Sequence, residues 1–188
     1  QDVVLTEKQK LRLIQNKSFG QKKGSLVAAE NKRRERIMRT KKIFQLAKKD
    51  MGRFNKRDRF IAGVALYAGE GDKTDGKGGF TNSDPNIIKW MVKWLKEIFN
   101  IEPKRLILRV SVNRIHKARI KKITNYWTKI VGVSPTQFTK PSFIKAAAKK
   151  VYFNKDEHFG TLRIKVRGGT FLRRKILGAI SALEEGVN

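Results

Sequence analysis

Residues 63–71 read GVALYAGEG and close a segment, Arg59–Glu70, that is apolar, rich in small side chains and ended by Gly71. Ala62, Ala65 and Gly69 recur at i, i+3 and i+7, so a helix over this segment carries one face nearly bare of side chains. A bare face lets two helix backbones approach closely. A single carboxylate, Glu70, stands at the end of that helix, and two helices packed through Ala62, Ala65 and Gly69 would bring two copies of Glu70 together. Two carboxylates side by side near phosphates make an oxygen-donor site of the kind Mg2+ takes. A metal there would activate water and stabilise the leaving oxygen in phosphodiester hydrolysis.

Working outward towards the C-terminus, the pattern alternates helices with strands. Residues 78–83 (GGFTNS) read as a strand; Asp84 then offers an N-cap and Pro85 a first helical residue. Ile87, Ile88, Met91, Trp94, Leu95, Ile98 and Phe99 recur at helical spacing, with Lys89, Lys93 and Lys96 on the other side. In Arg105–Asn113, Leu106, Leu108, Val110 and Val112 alternate with Arg105, Arg109 and Ser111, the signature of a half-buried strand. A further amphipathic helix carries Ile120, Ile123, Trp127 and Val131 inward and stops at Gly132. Residues 137–144 and 161–167 read as two antiparallel strands, and a closing helix runs from about Thr170 to Leu183.

Upstream, no such alternation occurs. Residues 1–58 hold 18 Lys+Arg against 6 Asp+Glu. A short helix is expected over Thr6–Asn16, capped by Thr6, and a long one over Leu26–Met51, with Ile37, Phe44, Ala47 and Met51 as a thin apolar stripe among many cations, Arg33 and Arg34 included. Two domains follow: a basic helical arm over residues 1–54 and an α+β domain over 55–188. The arm is suited to tracking phosphates.

The whole chain of 188 residues carries a formal net charge of +28, yet 39% of its residues are hydrophobic, enough for a core and too many for a disordered polycation. Such a charge repels itself unless a polyanion neutralises it, so nucleic acid is the expected partner. With no cysteine, disulfide scaffolds and thiolate metal sites are excluded. Neither a signal-peptide pattern nor an apolar run near 18 residues occurs. A cytoplasmic, nucleic-acid-associated protein with no membrane partner is therefore expected. The polar faces of the strands carry Arg and Lys and almost no acid, so an open sheet face lined by Arg109, Arg163, Lys165 and Arg167 would lie along a duplex groove. Trp94 and Trp127 read as core residues, and His116 and His158 as separate surface or strand-edge histidines.

The nonapeptide resembles the motif of the LAGLIDADG homing endonucleases in a divergent, single-copy form. Aligned without gaps it matches at Leu66 and Gly71, and conservatively at Ala65, Gly69 and Glu70; Gly63 replaces the first Leu and Ala68 the first Asp. Phe80-Thr81-Asn82-Ser83-Asp84 is similar to the F-x-N-x-D strand end that follows the family's motif, and the likeness of element order runs from Asn55 to Leu183. The resemblance implies an αββαββα core that binds double-stranded DNA on a saddle of antiparallel strands and cuts it with Mg2+. It assigns Glu70 to catalysis, Glu70 and Gly69 to the metal, and Lys140 to an assisting role. Lys73, Lys77, Arg105, Arg109, Lys140, Arg163, Lys165 and Arg167 would contact DNA, joined by Arg33 and Arg34 of the arm. Ala62, Ala65 and Gly69 would form the interface of a homodimer, as single-motif members require. Residues 176–186 (ILGAISALEEG) superficially repeat the motif, but only two residues follow Gly186, so they read as the closing helix. A second function class stays open beside the nuclease: a non-catalytic DNA-binding regulator, or a structural RNA-binding protein such as one attached to ribosomal RNA, using the same sheet face and arm.

Overall fold

The structure, a computed structural model, describes residues 4–74, 78–145 and 157–186. The chain divides into two units, residues 1–53 and 54–188.

The first unit is one helix, α1 (Glu7–Met51), none of whose residues is buried. Thr6 caps it in a capping box with Gln9: the Gln9 N–H donates to Thr6 Oγ1 at 3.4 Å, and the Thr6 N–H donates to Gln9 Oε1 at 2.9 Å. Two helices were expected here, and one is found, running unbroken through Gly20 and Gly24. Each glycine costs a helix about 1 kcal/mol relative to alanine. Without a proline between Asn16 and Leu26 no backbone clash ends the helix, and Gln21, Lys22 and Lys23 favour it.

The second unit is α+β. Its elements run α2 (Lys56–Glu70), β1 (Gly79–Asn82), α3 (Pro85–Phe99), β2 (Leu106–Asn113), α4 (Ile120–Val131), β3 (Ser142–Ile144), β4 (Thr161–Val166) and α5 (Thr170–Glu185). Asn55 and Asp58 form the capping box of α2. Asp84 caps α3 with Pro85 in its first turn, and Asn100, in the left-handed region at φ 53°, closes it.

The four strands order as β1-β4-β2-β3. β4 lies antiparallel to both β1 and β2, with Arg163 opposite Thr81 on one side and opposite Arg109 on the other. The alternation read in β2 and β4 holds: Leu106, Leu108, Val110, Val112, Leu162, Ile164 and Val166 are buried. They join Phe80 of β1 and pack against Val64 and Tyr67 of α2, Ile88, Met91 and Trp94 of α3, Ile123 and Trp127 of α4, and Leu172 and Ile176 of α5. The helices of this unit thus cover one face of the sheet and, among its described residues, leave the other open.

Two features differ from the expected antiparallel saddle. β3 is three residues long and pairs parallel with β2, Ser111 opposite Ser142, rather than antiparallel with β4. Residues 137–141 do not form a ladder because Gln137 belongs to a one-turn helix capped by Ser134, and Pro141 has no N–H to give. Instead the Gln137 amide donates to the Pro103 and Leu106 carbonyls, at 2.8 Å each, and the Thr139 N–H donates to the Leu108 carbonyl at 2.8 Å. Between α2 and α3, where αββαββα asks for two strands, the described residues hold β1 and one isolated antiparallel bridge, Gly71 to Phe80. Among the described residues no helix is long and apolar enough to cross a membrane.

Candidate nucleic-acid interface

The inward positions of β2 and β4 are committed to the core, and three of the outward ones, Arg109, Arg163 and Lys165, hold cations. In β2 Arg109 is exposed between buried Leu108 and Val110; in β4 Arg163 and Lys165 flank buried Ile164. Thr139, anchored to the Leu108 carbonyl through both its N–H and its Oγ1, carries Lys140 alongside. The four cations surround one open depression of about 420 Å³, with Ile107 and Thr139 completing its lining. A concave surface with converging cations at this scale suits a phosphate backbone or a groove edge.

Asp72 was not singled out from the sequence, and it sits on this face. Its carboxylate accepts from Arg163 Nε at 2.9 Å and Nη2 at 2.6 Å, through the same oxygen, Oδ2. The backbone around it is held on both sides. The Asp72 N–H donates to the Gly79 carbonyl at 2.9 Å, the Tyr67 hydroxyl donates to the Asp72 carbonyl at 3.1 Å, and the Gly79 N–H donates to that hydroxyl at 3.2 Å. A Cβ on Gly79 would collide with the Asp72 carboxylate, so glycine is what the carboxylate requires there. The one signal available in the sequence was a second acid directly behind the motif, in Glu70-Gly71-Asp72.

The other expected contacts are distributed. Arg105 donates through Nε at 3.3 Å and Nη2 at 2.9 Å to the Arg167 carbonyl, so these two residues form a clamp at the end of β4 outside the depression. Lys73 is exposed in the loop after α2, and its carbonyl accepts from the Arg173 guanidinium. Lys77 lies outside the described residues. Arg33 and Arg34 project from α1, where both pair with Glu30, at 3.4 and 3.2 Å. Glu70 is exposed in the last turn of α2 and is not part of the depression's lining. Ala65 and Gly69 are exposed and Ala62 half-buried, so the bare face of α2 looks outward, with nothing within 4 Å of a Cβ placed on Gly69. Glu102, in the turn before β2, is held below the usual carboxylate range by a hydrogen bond from Lys104 and by that residue's charge.

The histidines differ from expectation. His116 is buried, and its ring centroid lies 5.3 Å from that of His158, the two meeting where the turn after β2 passes the segment before β4. Arg119 Nη1 lies 3.3 Å from His116 Nδ1. A guanidinium only donates, so in this contact Nδ1 is the acceptor. Among the described residues no group of three or more His, Asp or Glu side chains is gathered as a metal cage. Trp127 is buried as expected, donating to the Phe159 carbonyl at 2.8 Å.

Compared with protein-family models, with curated proteins and with solved structures, the chain matches none.

Proposed function

We propose that this chain is a DNA-binding protein of the LAGLIDADG homing-endonuclease type, cutting duplex DNA at a specific site as a homodimer with Mg2+. The observation that carries the reading is the depression bounded by Arg109, Lys140, Arg163 and Lys165 on the sheet face opposite the helices of the second unit. The succession α2, β1, α3, β2 and the closing β4–α5 supports a reduced αββαββα core, its first strand shrunk to one bridge. The outward bare face of α2 supports a second copy docking there, which would set two Glu70 carboxylates at the junction.

The donor chemistry fits the metal. Mg2+ keeps several waters and takes one or two carboxylates together with substrate phosphates, and Glu70 with the Gly69 carbonyl offers hard oxygens that a second copy would double. When bound there, the metal supplies Lewis-acid charge stabilisation and a more acidic water. The chain's own cations do the rest: Arg109 and Lys140 hold phosphates, and Lys165 and Arg163 set the duplex along the sheet.

Selection from a random duplex pool in Ca2+, followed by exchange into Mg2+ and sizing of the products, tests the reading, with Glu70→Gln alongside. Staggered double-strand cuts that vanish in Glu70→Gln support it. Tight selection without cuts leaves a DNA-binding regulator, and failure to enrich any duplex removes the DNA reading.

A second reading has its own observation. α1 is a 45-residue helix without a buried residue, and its 15 Lys and Arg face 4 Asp and Glu. An extended basic helix is also suited to lying within folded RNA, with the sheet face as a second contact.

A further inference from the structure

Arg109 and Arg163 stand directly opposite each other in the β2–β4 pairing, both on the open face. Like charges so placed destabilise a sheet, and among the described residues the carboxylate of Asp72 engages one of the two, Arg163. Asp72 engages Arg163 through two N–H groups on the same edge of the guanidinium, and both partners are largely shielded, with side chains 31% and 21% exposed. Asp72 is itself fixed by the Tyr67 hydroxyl, by the Gly79 carbonyl and by the space that Gly79 leaves. Arg109 is exposed. The two arginines of the same face are therefore built for different work: one is held in a set plane by a rigid acid, the other stands out towards solvent.

We propose that Arg163 reads a guanine edge in duplex DNA and that Asp72 is its positioning residue, fixing the guanidinium so that a pair of donors meets O6 and N7 together. This rests on the duplex-DNA reading above and assigns specificity within it. Phosphate binding needs only charge and tolerates a mobile side chain, whereas a bidentate base contact needs a fixed plane. A carboxylate beside a phosphate-binding arginine would weaken it by repelling the phosphate. Beside a base-reading arginine it adds orientation, at the expense of non-specific attraction. Arg109, Lys140 and Lys165 then supply the phosphate contacts around that reader.

The two roles of Asp72 have opposite signs in one experiment. The unaltered chain, Asp72→Asn and Arg163→Lys are each put through selection from a random duplex pool. Affinity is then measured for the selected duplex, for each single-base-pair variant of it and for unrelated duplex. In Asp72→Asn, discrimination at one G·C position falls by about tenfold or more, the scale of one bidentate contact, while affinity for unrelated duplex rises because a negative charge has left the face. Arg163→Lys loses discrimination at the same position and keeps its non-specific affinity, since it retains the charge without the fork. If Asp72→Asn lowers affinity for every duplex in proportion, or leaves the preference at every position intact, the assignment is overturned while DNA binding stands. Should Asp72→Asn unfold, Arg163→Lys decides alone, because unchanged discrimination there removes the reader. Enrichment of no sequence by the unaltered protein removes the DNA reading and this assignment with it.

Discussion

The indole of Trp94 occupies the space where a side chain on Gly63 would begin: a Cβ built there would overlap its Cε2 and Nε1 atoms. Residue 63 therefore has room for glycine and not for a larger side chain. α2 and α3 meet at that contact, and Trp94 goes on to pack edge-to-face on Phe99 with centroids 4.9 Å apart. Gly63→Ala should therefore destabilise the second unit by about 1–3 kcal/mol, the usual penalty of overpacking, although alanine is the better helix former by about 1 kcal/mol. Urea unfolding measures it. Combining Gly63→Ala with Trp94→Phe should recover part of the loss, since Trp94 Nε1 is buried without a hydrogen-bond partner and the smaller ring gives up no bond.

Gly69 is the converse case on the same helix. Nothing lies within 4 Å of a Cβ there, so Gly69→Ala should stabilise the monomer by up to about 1 kcal/mol. If α2 is the dimer face, Gly69→Leu should leave thermal unfolding of the monomer nearly unchanged and lower self-association on duplex DNA at least tenfold by sedimentation. A strict monomer in the unaltered protein, on DNA and at high concentration, would remove the two-carboxylate mechanism.

Tyr67 ties the end of α2 to β1. Its hydroxyl accepts from the buried Gly79 N–H and donates to the Asp72 carbonyl. Tyr67→Phe keeps the ring in the core and strands a buried donor, which costs about 1–3 kcal/mol. The same variant should weaken base discrimination together with Asp72→Asn, because it loosens the backbone that aims the carboxylate. Urea unfolding and duplex selection check the two effects separately.

How much of this was legible in the sequence depended on the range of the interaction. α3 was readable almost residue by residue, because Asp84, Pro85 and the repeat of Ile88, Met91 and Leu95 are local signals. The alternation of β2 and β4 placed Arg109, Arg163 and Lys165 on one face, since the period of a strand fixes its sides. The direction of β3 was not readable. It depends on Gln137 and Thr139 reaching carbonyls of residues more than thirty positions away, at Leu106 and Leu108. The Asp72–Arg163 pair spans 91 residues and the meeting of His116 with His158 spans 42, and neither separation leaves a local pattern. In α1 the opposite error arose: Gly20 and Gly24 are local breakers, and a long run of good helix formers outweighed them.

The depression makes a quantitative claim about salt. Each phosphate contact contributes about 0.9 to the slope of log affinity against log salt concentration. Lys140→Ala and Arg109→Ala should each lower that slope by about one and weaken selected and unrelated duplexes alike. Stability should change little, because both residues lie on the open face of the sheet rather than in the core. A filter-binding series over salt concentration reads both quantities.

The arm decides between the two partners. Arg33 and Arg34 share one exposed acid, Glu30, and surface pairs of this kind contribute little to stability. Arg33→Ala with Arg34→Ala should leave the helix content by circular dichroism nearly unchanged, because alanine is a strong helix former. Removing two phosphate-tracking cations should lower the salt slope by about two on whichever nucleic acid the arm follows. A drop seen on the selected duplex shows that the arm follows DNA. A drop seen only on structured RNA, with duplex binding untouched, favours the RNA-binding reading and leaves the sheet face to be tested on RNA as well.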